Sequence, residues 1–458
     1  MKNEDVNELI RRSRSALKQI ENYNQKQVDT LVSAIGWAGV QKENMERIAR
    51  KGMDETRLGT FEGKYNKMSF KIRGIMRDMK GAKTVGIIEE DEAKGLVKIA
   101  KPLGVIGALV PCTNPCVTPF LKAMWAIKSR NSIIFSPHPR SKETNTMVCT
   151  LIQDVLEQYG APRDLVLFIE NPSVPMSSEL MSCCDTVIAT GGSAMVKAAY
   201  SSGTPAYGVG VGNAMVIVDE TADYAQYASE IGVGQQNDNS TGCSTENGII
   251  VHRSIYADMV AALEQEGAYI VLDEEKKKLE QTLWVNGILN RNIVGQSAAT
   301  IADMAGIADG KNPKFLVVPE NDCSVQSKFT TEKLSPVLTI YSYENFDDAI
   351  KMLNDIQSRC GAGHSCGIYS TDEERIMKVA MQTRTSRVMV RQSTGLGNAG
   401  SWENGMPVTA TLGCGSWGGN SISENVNHRF FYNVTWVSKK IKKEIVPDEV
   451  LFADSLEK

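Results

Sequence analysis

Residues 103–142 read LGVIGALVPCTNPCVTPFLKAMWAIKSRNSIIFSPHPRSK, and this stretch decides the fold. The apolar run Leu103 to Val110 is a candidate strand, Thr118 to Arg130 can form a helix, and Ser132 to Ser136 is the next strand. Strands that alternate with helices at this spacing build a mostly parallel sheet. Working outward, Lys142 to Tyr159 places Val148, Leu151, Ile152, Val155, Leu156 and Tyr159 on one helical stripe, then stops at Gly160-Ala161-Pro162. Leu165 to Ile169 and Thr186 to Ala189 continue as buried strands, and the second runs into Thr190-Gly191-Gly192-Ser193 ahead of a helix through Tyr200. A strand, a glycine turn and a helix start offer free backbone N–H groups to an anion, although the same turn also joins ordinary elements.

The alternation repeats beyond Asn237. Gly248 to His252, Lys314 to Pro319, Pro336 to Tyr341, Gly367 to Tyr369 and Arg387 to Val390 are short strands, with helices such as Ala257 to Gln265 and Phe346 to Gln357 between them. Two pieces stand outside the pattern: a polar-tipped hairpin over Thr84 to Ile99 and a terminal strand over Phe431 to Val437. Pairing with another subunit would cover edge strands that a monomer leaves open, so a homodimer or homotetramer is expected.

Composition excludes several classes. The chain has 458 residues, 42% of them hydrophobic and 23% charged, which is ordinary for a globular protein. A formal net charge of −4 without a long Lys/Arg run gives no footprint for nucleic acid or an acidic membrane. No stretch is apolar enough to span a bilayer, and residues 1–20 mix acidic and basic side chains instead of forming an export signal, so a cytoplasmic location is expected. The ten cysteines suit a reducing compartment. Cys112/Cys116 and Cys183/Cys184 lack a second matching pair or a nearby His, so no metal is expected.

Most of the cysteines sit in apolar or helical settings. Cys243 lies in the polar loop Asn237-Asp-Asn-Ser-Thr-Gly-Cys-Ser-Thr-Glu-Asn-Gly248, which can leave a sulfur accessible and bring backbone close to a ligand. An incidental loop cysteine is the alternative.

Eight segments in order carry a resemblance. They are Pro111-Cys-Thr-Asn-Pro-Cys-Val-Thr-Pro119, Ser136-Pro-His-Pro-Arg-Ser-Lys142, Ala189-Thr-Gly-Gly192, Ala206-Tyr-Gly-Val-Gly-Val-Gly-Asn213, the Cys243 loop, Glu332-Lys-Leu-Ser-Pro-Val337, Gly361-Ala-Gly-His-Ser365 and Thr411-Leu-Gly-Cys-Gly-Ser-Trp417. Together they resemble the aldehyde dehydrogenase superfamily, and its CoA-dependent, acylating branch in particular. The resemblance implies an α/β fold with a Rossmann-type cofactor domain over 1–236, carrying an oligomerisation hairpin at about 84–99. It implies a catalytic domain over 237–420 and a C-terminal return with an oligomerisation strand over 421–458.

By the same resemblance Cys243 is the attacking thiol and Asn114 donates its amide to the oxyanion. Ser136, Pro137, His138 and Pro139 surround the adenosine end of NAD or NADP, Gly191 and Gly192 lie near its pyrophosphate, and Glu332 holds the nicotinamide ribose. For His138 a turn residue, for Glu332 a solvated charge and for Asn114 a turn before Pro115 are the alternatives. Hydrolytic relatives carry a Glu in a Glu-Leu-Gly-Gly-Lys motif to activate water; here the region reads Tyr207-Gly-Val-Gly-Val-Gly-Asn213 and has no carboxylate. A thioacyl-enzyme would then await a better nucleophile, the CoA thiol, with His364 to take its proton or else to cap a turn.

Thr241-Gly242 before the nucleophile replaces the bulky aliphatic residues of acetaldehyde-type members. Arg391 with Thr394 could grip an anion, unless Arg391 forms an ion pair elsewhere. The expected substrate is a short anionic aldehyde, sulfoacetaldehyde first, succinate semialdehyde second and acetaldehyde third. A hydrolytic aldehyde dehydrogenase and a non-catalytic cofactor-binding protein are the rival readings.

Overall fold

The first set of strands forms a five-stranded parallel sheet in the order Val166–Phe168, Ser132–Pro137, Val105–Val110, Thr186–Thr190 and Ala206–Val209. This is seen in a computed structural model that describes residues 5–324 and 326–456. Strand order reverses beside Val105–Val110, where the chain has moved outward through two strands on one side and comes back on the other. The carboxyl ends of Val105–Val110 and Thr186–Thr190 therefore open a crevice at the switch point, the place where such sheets take ligands. Asn114, the Ser136–Pro139 segment and the Gly191-Gly192 turn all emerge at this end of the sheet.

Val105–Val110 and Ser132–Pro137 are buried at every position, as a parallel sheet covered on both faces requires. The helix Thr118–Lys128 that covers them is itself buried along its whole length. Lys122 in that helix donates to the carbonyls of Leu109 at 2.9 Å and Ile188 at 3.1 Å, tying together the two strands that bound the crevice. Burial pushes its pKa down to about 7.

The chain leaves this sheet over residues 210–213. Ala214–Val218 pairs with Glu246–His252 and Cys366–Tyr369 inside a seven-stranded parallel sheet, whose order is Ala268–Ile270, Phe315–Pro319, Val337–Tyr343, Glu246–His252, Ala214–Val218, Cys366–Tyr369 and Val388–Val390. The change of unit thus falls at 210–213 and not at the expected 236. Tyr227, Ala228 and Ile231 of the helix Tyr224–Gln236 share a core with Val216, Ile249 and Leu338 of the second sheet. A strand buried on both faces has the same apolar pattern whichever sheet receives it, so sequence alone could not place this one.

The C-terminal return also starts before the expected 421, since Val408 packs with Ile422, Val426 and Phe431 in the core of the first unit. It ends in Tyr432–Ser438, which pairs antiparallel with Leu96–Pro102; Gly86–Asp91 pairs on the other side to complete a three-stranded sheet. Among the described residues no helix is long and apolar enough to cross a membrane.

One buried carboxylate joins the two units. Asp238, whose side chain is 0% exposed, accepts from the Thr60 backbone N–H at 2.8 Å, from Thr241 Oγ1 at 2.9 Å and from Lys67 Nζ at 2.7 Å, with Lys64 Nζ at 3.5 Å. Lys64 and Lys67 lie on the helix Phe61–Met79, which approaches so closely that a Cβ on Gly63 would come 2.7 Å from Asp238 Cα. Burial alone would push the Asp238 carboxyl up, but the two lysines outweigh it and hold the group below the usual carboxylate range. Its stabilising contribution is therefore present at neutral pH and is lost as pH falls through that lowered value.

Removing the carboxylate strands two ammonium groups in a poorly hydrated place. Asp238→Ala should lower stability by about 3–5 kcal/mol, read from the urea midpoint, and Lys64→Met in that background should recover part of the loss. An unchanged midpoint in Asp238→Ala would show that this pair does not hold the units together.

Candidate active site

Cys243 sits between the end of the helix Tyr224–Gln236 and the strand Glu246–His252. The turn that delivers it places Asp238, Asn239 and Ser240 at φ +51°, +52° and +55°. Three successive left-handed residues are costly for side chains, and Asp and Asn tolerate the conformation best. The Asp238 contacts described above and a hydrogen bond from Ser240 Oγ to the Gln235 carbonyl at 2.6 Å hold the turn.

The segment where hydrolytic relatives carry their base lies directly on this loop. A Cβ on Gly212 would fall 1.8 Å from the Cys243 carbonyl oxygen, so only glycine fits. Cys243 Sγ lies 3.2 Å from His364 Nε2, and His364 Nδ1 lies 2.8 Å from Ser365 Oγ. The His364 carbonyl accepts from an Arg387 Nη at 2.8 Å, which fixes the imidazole from behind. If Nδ1 carries the proton and donates to Ser365, Nε2 is left as an acceptor facing the thiol.

Both partners are neutral in this setting. Burial, with the Arg387 guanidinium adding to it, pushes the His364 pKa down to about 3. Burial, then the nearby Glu332 and Cys414, push the Cys243 thiol up to about 12 against a smaller opposing pull from Arg387. The pair is a thiol beside a free base, not a standing thiolate–imidazolium pair.

Asn114 follows the strand Val105–Val110 and stands at the start of the next helix, its carbonyl accepting from Thr118 N at 3.2 Å. Its side-chain oxygen accepts from Lys67 Nζ at 3.4 Å, which leaves the amide N–H groups to donate elsewhere. The same ammonium donates to Thr241 Oγ1 at 3.2 Å and to Asp238 Oδ2 at 2.7 Å. One lysine thus ties the oxyanion candidate to the nucleophile loop.

Glu332 Oε1 accepts from Gly212 N at 3.2 Å, and Glu332 shares a small cavity with Gly242, Cys243 and Glu246. Burial pushes its pKa up to about 8, and burial likewise raises Glu246. Gly191 and Gly192 close the strand Thr186–Thr190 and open the helix Ser193–Tyr200, which borders a cavity of ≈520 Å³ lined by Ser193, Lys197, Tyr200, Arg359, Cys360 and Cys414. That cleft, with two basic side chains and a helix N-terminus, could hold phosphate groups. Ser136 Oγ is bonded to Ser177 Oγ at 2.8 Å. His138 accepts the Arg140 N–H at 3.1 Å and starts a short helical turn with Pro139 after Pro137, and burial lowers its pKa.

The proposed substrate contacts fare unevenly. A Cβ on Gly242 would meet only Thr245 Oγ1, at 3.6 Å, so space does open beside the thiol. The Thr241 hydroxyl, however, is engaged by Asp238 and Lys67. Thr394 is buried, and its backbone N–H binds Glu246. The Arg391 guanidinium faces Glu373 at 3.8 Å with 46% of the side chain exposed, an ion pair of the kind the sequence left open. Sequence reasoning missed Lys67, Asp238, Ser365 and Arg387. The spacing of Lys64, Lys67 and Lys71 along one helix was the available signal, but it reads equally as a solvated face.

Comparison with known proteins agrees with this geometry. The aldehyde dehydrogenase family profile matches residues 1–403. A sulfoacetaldehyde dehydrogenase from an Acholeplasma species is 43% identical over 98% of this chain and 93% of its own. A succinate-semialdehyde dehydrogenase (acetylating) from Clostridium kluyveri is 41% identical over 98% of each chain. The crystal structure of an acetylating aldehyde dehydrogenase from Geobacillus thermoglucosidasius superposes with a TM-score of 0.93 at 35% identity, covering 96% of this chain and 98% of that one. With its nucleophile loop, its crevice and its paired sheets all in that arrangement, the chain belongs to the aldehyde dehydrogenase family.

Proposed function

We propose that the chain is a CoA-acylating aldehyde dehydrogenase for a short anionic aldehyde, sulfoacetaldehyde before succinate semialdehyde, with Cys243 carrying the acyl group. The observation that carries this reading is the Cys243–His364 contact of 3.2 Å, in a site whose nearby carboxyls, Glu332 and Glu246, are both pushed toward the protonated form. Residues 207–213, where hydrolytic relatives carry the carboxylate that activates water, supply none.

The steps follow from these groups. His364 Nε2 takes the Cys243 proton as the sulfur bonds to the aldehyde carbon, and the Asn114 amide donates to the resulting oxyanion. NAD or NADP, when bound, would supply the acceptor for the hydride on this carbon, and the proton on His364 passes to solvent. His364, free again, takes the CoA thiol proton as the CoA sulfur adds to the thioester carbon. The Cys243–carbon bond then breaks, and the departing sulfur recovers that proton from His364. Glu332 would hold the nicotinamide ribose, the Ser136–Pro139 segment the adenosine end, and Gly191 with Gly192 the pyrophosphate.

The unpaired edges of the three-stranded sheet suit pairing with a second copy, so the same reading includes a homodimer or homotetramer. Ten cysteines without a disulfide fit the cytoplasm.

Omitting CoA should lower steady NAD(P)H formation from aldehyde by at least about a hundredfold, since no side chain is set to activate water. Undiminished turnover to the free acid would favour hydrolysis, and cofactor binding without turnover on any aldehyde would favour a non-catalytic protein. In the complete assay Cys243→Ser should lose nearly all acylation while still binding NAD(P)H. His364→Ala should fall by about a hundred- to ten-thousandfold in kcat/KM. Wild-type rates in His364→Ala would remove the imidazole from the chemistry.

A further inference from the structure

Three lysines, Lys64, Lys67 and Lys71, project from the helix Phe61–Met79, and among the described residues Asp238 is the carboxylate that ion-pairs with them, Asp78 acting on Lys71 without an ion pair. Lys64 and Lys67 both face Asp238. Lys71, one turn beyond Lys67 on the same face, has no such partner: its Nζ donates to the Ala399 carbonyl at 2.7 Å, leaving further N–H groups of the ammonium to be met. Lys67, one turn before it, donates to Thr241 Oγ1 at 3.2 Å, so this face of the helix is turned toward the loop that carries Cys243.

Lys71 also holds a loop that packs on the Cys243 loop. Ala399, its partner, belongs to the loop after the strand Val388–Val390, and that loop packs on the nucleophile loop through the Thr394 N–H to Glu246 and through Gly395 against Thr245. A Cβ on Gly395 would lie 3.2 Å from Thr245 Cα. The space left open at Gly242 lies on the same nucleophile loop. Lys71 is partly accessible, as a group that meets a ligand must be.

We propose that Lys71, backed by Lys67, is the seat for the anionic end of the aldehyde and selects sulfonate- or carboxylate-bearing substrates over uncharged ones. This rests on the reading of the chain as an acylating dehydrogenase for short anionic aldehydes and assigns that selectivity to one side chain. Lys67 is committed to Asp238, Thr241 and Asn114, so it supplies field, whereas Lys71 supplies the free donors. An excess of cations in a poorly hydrated place is unfavourable when empty: burial, and then the charge of Lys67, push the Lys71 pKa down to about 7. An anionic head on Lys71 relieves both effects. The excess positive charge that is costly in the empty site thereby becomes binding energy for one class of aldehyde.

The assignment is tested with sulfoacetaldehyde, succinate semialdehyde and propanal, each with CoA and NAD(P)+, on the wild type, Lys71→Met and Lys71→Arg. Cofactor binding serves as the check on folding. For the better anionic aldehyde, the ratio of its kcat/KM to that of propanal should fall at least about thirtyfold in Lys71→Met, chiefly through KM. Lys71→Arg should recover most of the ratio. The anionic aldehyde that suffers more identifies the head the seat fits. A wild type that prefers both anionic aldehydes, with ratios that Lys71→Met leaves in place, overturns the lysine assignment alone. A wild type that prefers propanal overturns the anionic-substrate reading and the seat with it. Equal losses on all three substrates in both variants make Lys71 a structural residue and also overturn the seat.

Discussion

Everything at this site hangs on the Asp238 carboxylate and the two ammonium groups around it. The left-handed turn Asp238-Asn239-Ser240 is an unfavourable way to leave a helix, and a chain adopts it only where its surroundings over-determine it. Here they do, because Asp238 is grasped by the Thr60 backbone N–H and by Lys67, both belonging to the N-terminal helical layer of the other unit. The geometry of the Cys243 loop is thus set by contacts across the interface between units together with the loop's own Ser240 and Thr241 hydrogen bonds. Lys67 extends the constraint to Asn114, so the two groups that must meet on one aldehyde carbon are positioned by one ammonium.

Glycine provides the complementary constraint. Gly212 lets the crossing segment between the two sheets lie on the backbone of Cys243, and Gly363, at φ +79°, would with a Cβ come 1.8 Å from the Cys414 carbonyl. Without those two close approaches neither the thiol nor the imidazole could reach the other. The motif glycines Gly208, Gly212, Gly361 and Gly363 are therefore packing devices, unlike Gly192, where a Cβ would meet nothing within 4 Å.

The fold was largely legible because its signals are local. Apolar runs bounded by Gly and Pro gave the strands Val105–Val110, Ser132–Pro137, Thr186–Thr190 and Phe315–Pro319 to within a residue or two at each end. The unit boundary was not legible, since strand pairing is decided by partners distant in sequence and Ala214–Val218 is equally apolar on both faces. At the site, Cys243, His364, Glu332 and Gly242 come together as the motifs implied. The cations were less legible, for a physical reason. Arg391 lies in the loop that packs on the nucleophile, but its long side chain can follow the surface to Glu373. Lys67 and Lys71 lie far upstream in a helix whose sequence gives no indication that this face is covered.

Desolvation acts on this site as a brake as well as a scaffold. It lifts the Cys243 thiol and the Glu332 carboxyl, and it lowers the His364 imidazole and the Lys71 ammonium. All four shifts favour the uncharged form, so the empty site holds far less charge than the same side chains would carry in water. A resting thiol is a poor nucleophile and a poor target for oxidation compared with a thiolate, which protects a cysteine that must stay partly accessible. The same low dielectric that suppresses each isolated charge strengthens every pair that forms within it, so a ligand charge would favour only the opposite charge beside it: an anion would favour the Lys71 ammonium and leave the Cys243 thiol to a neighbouring base.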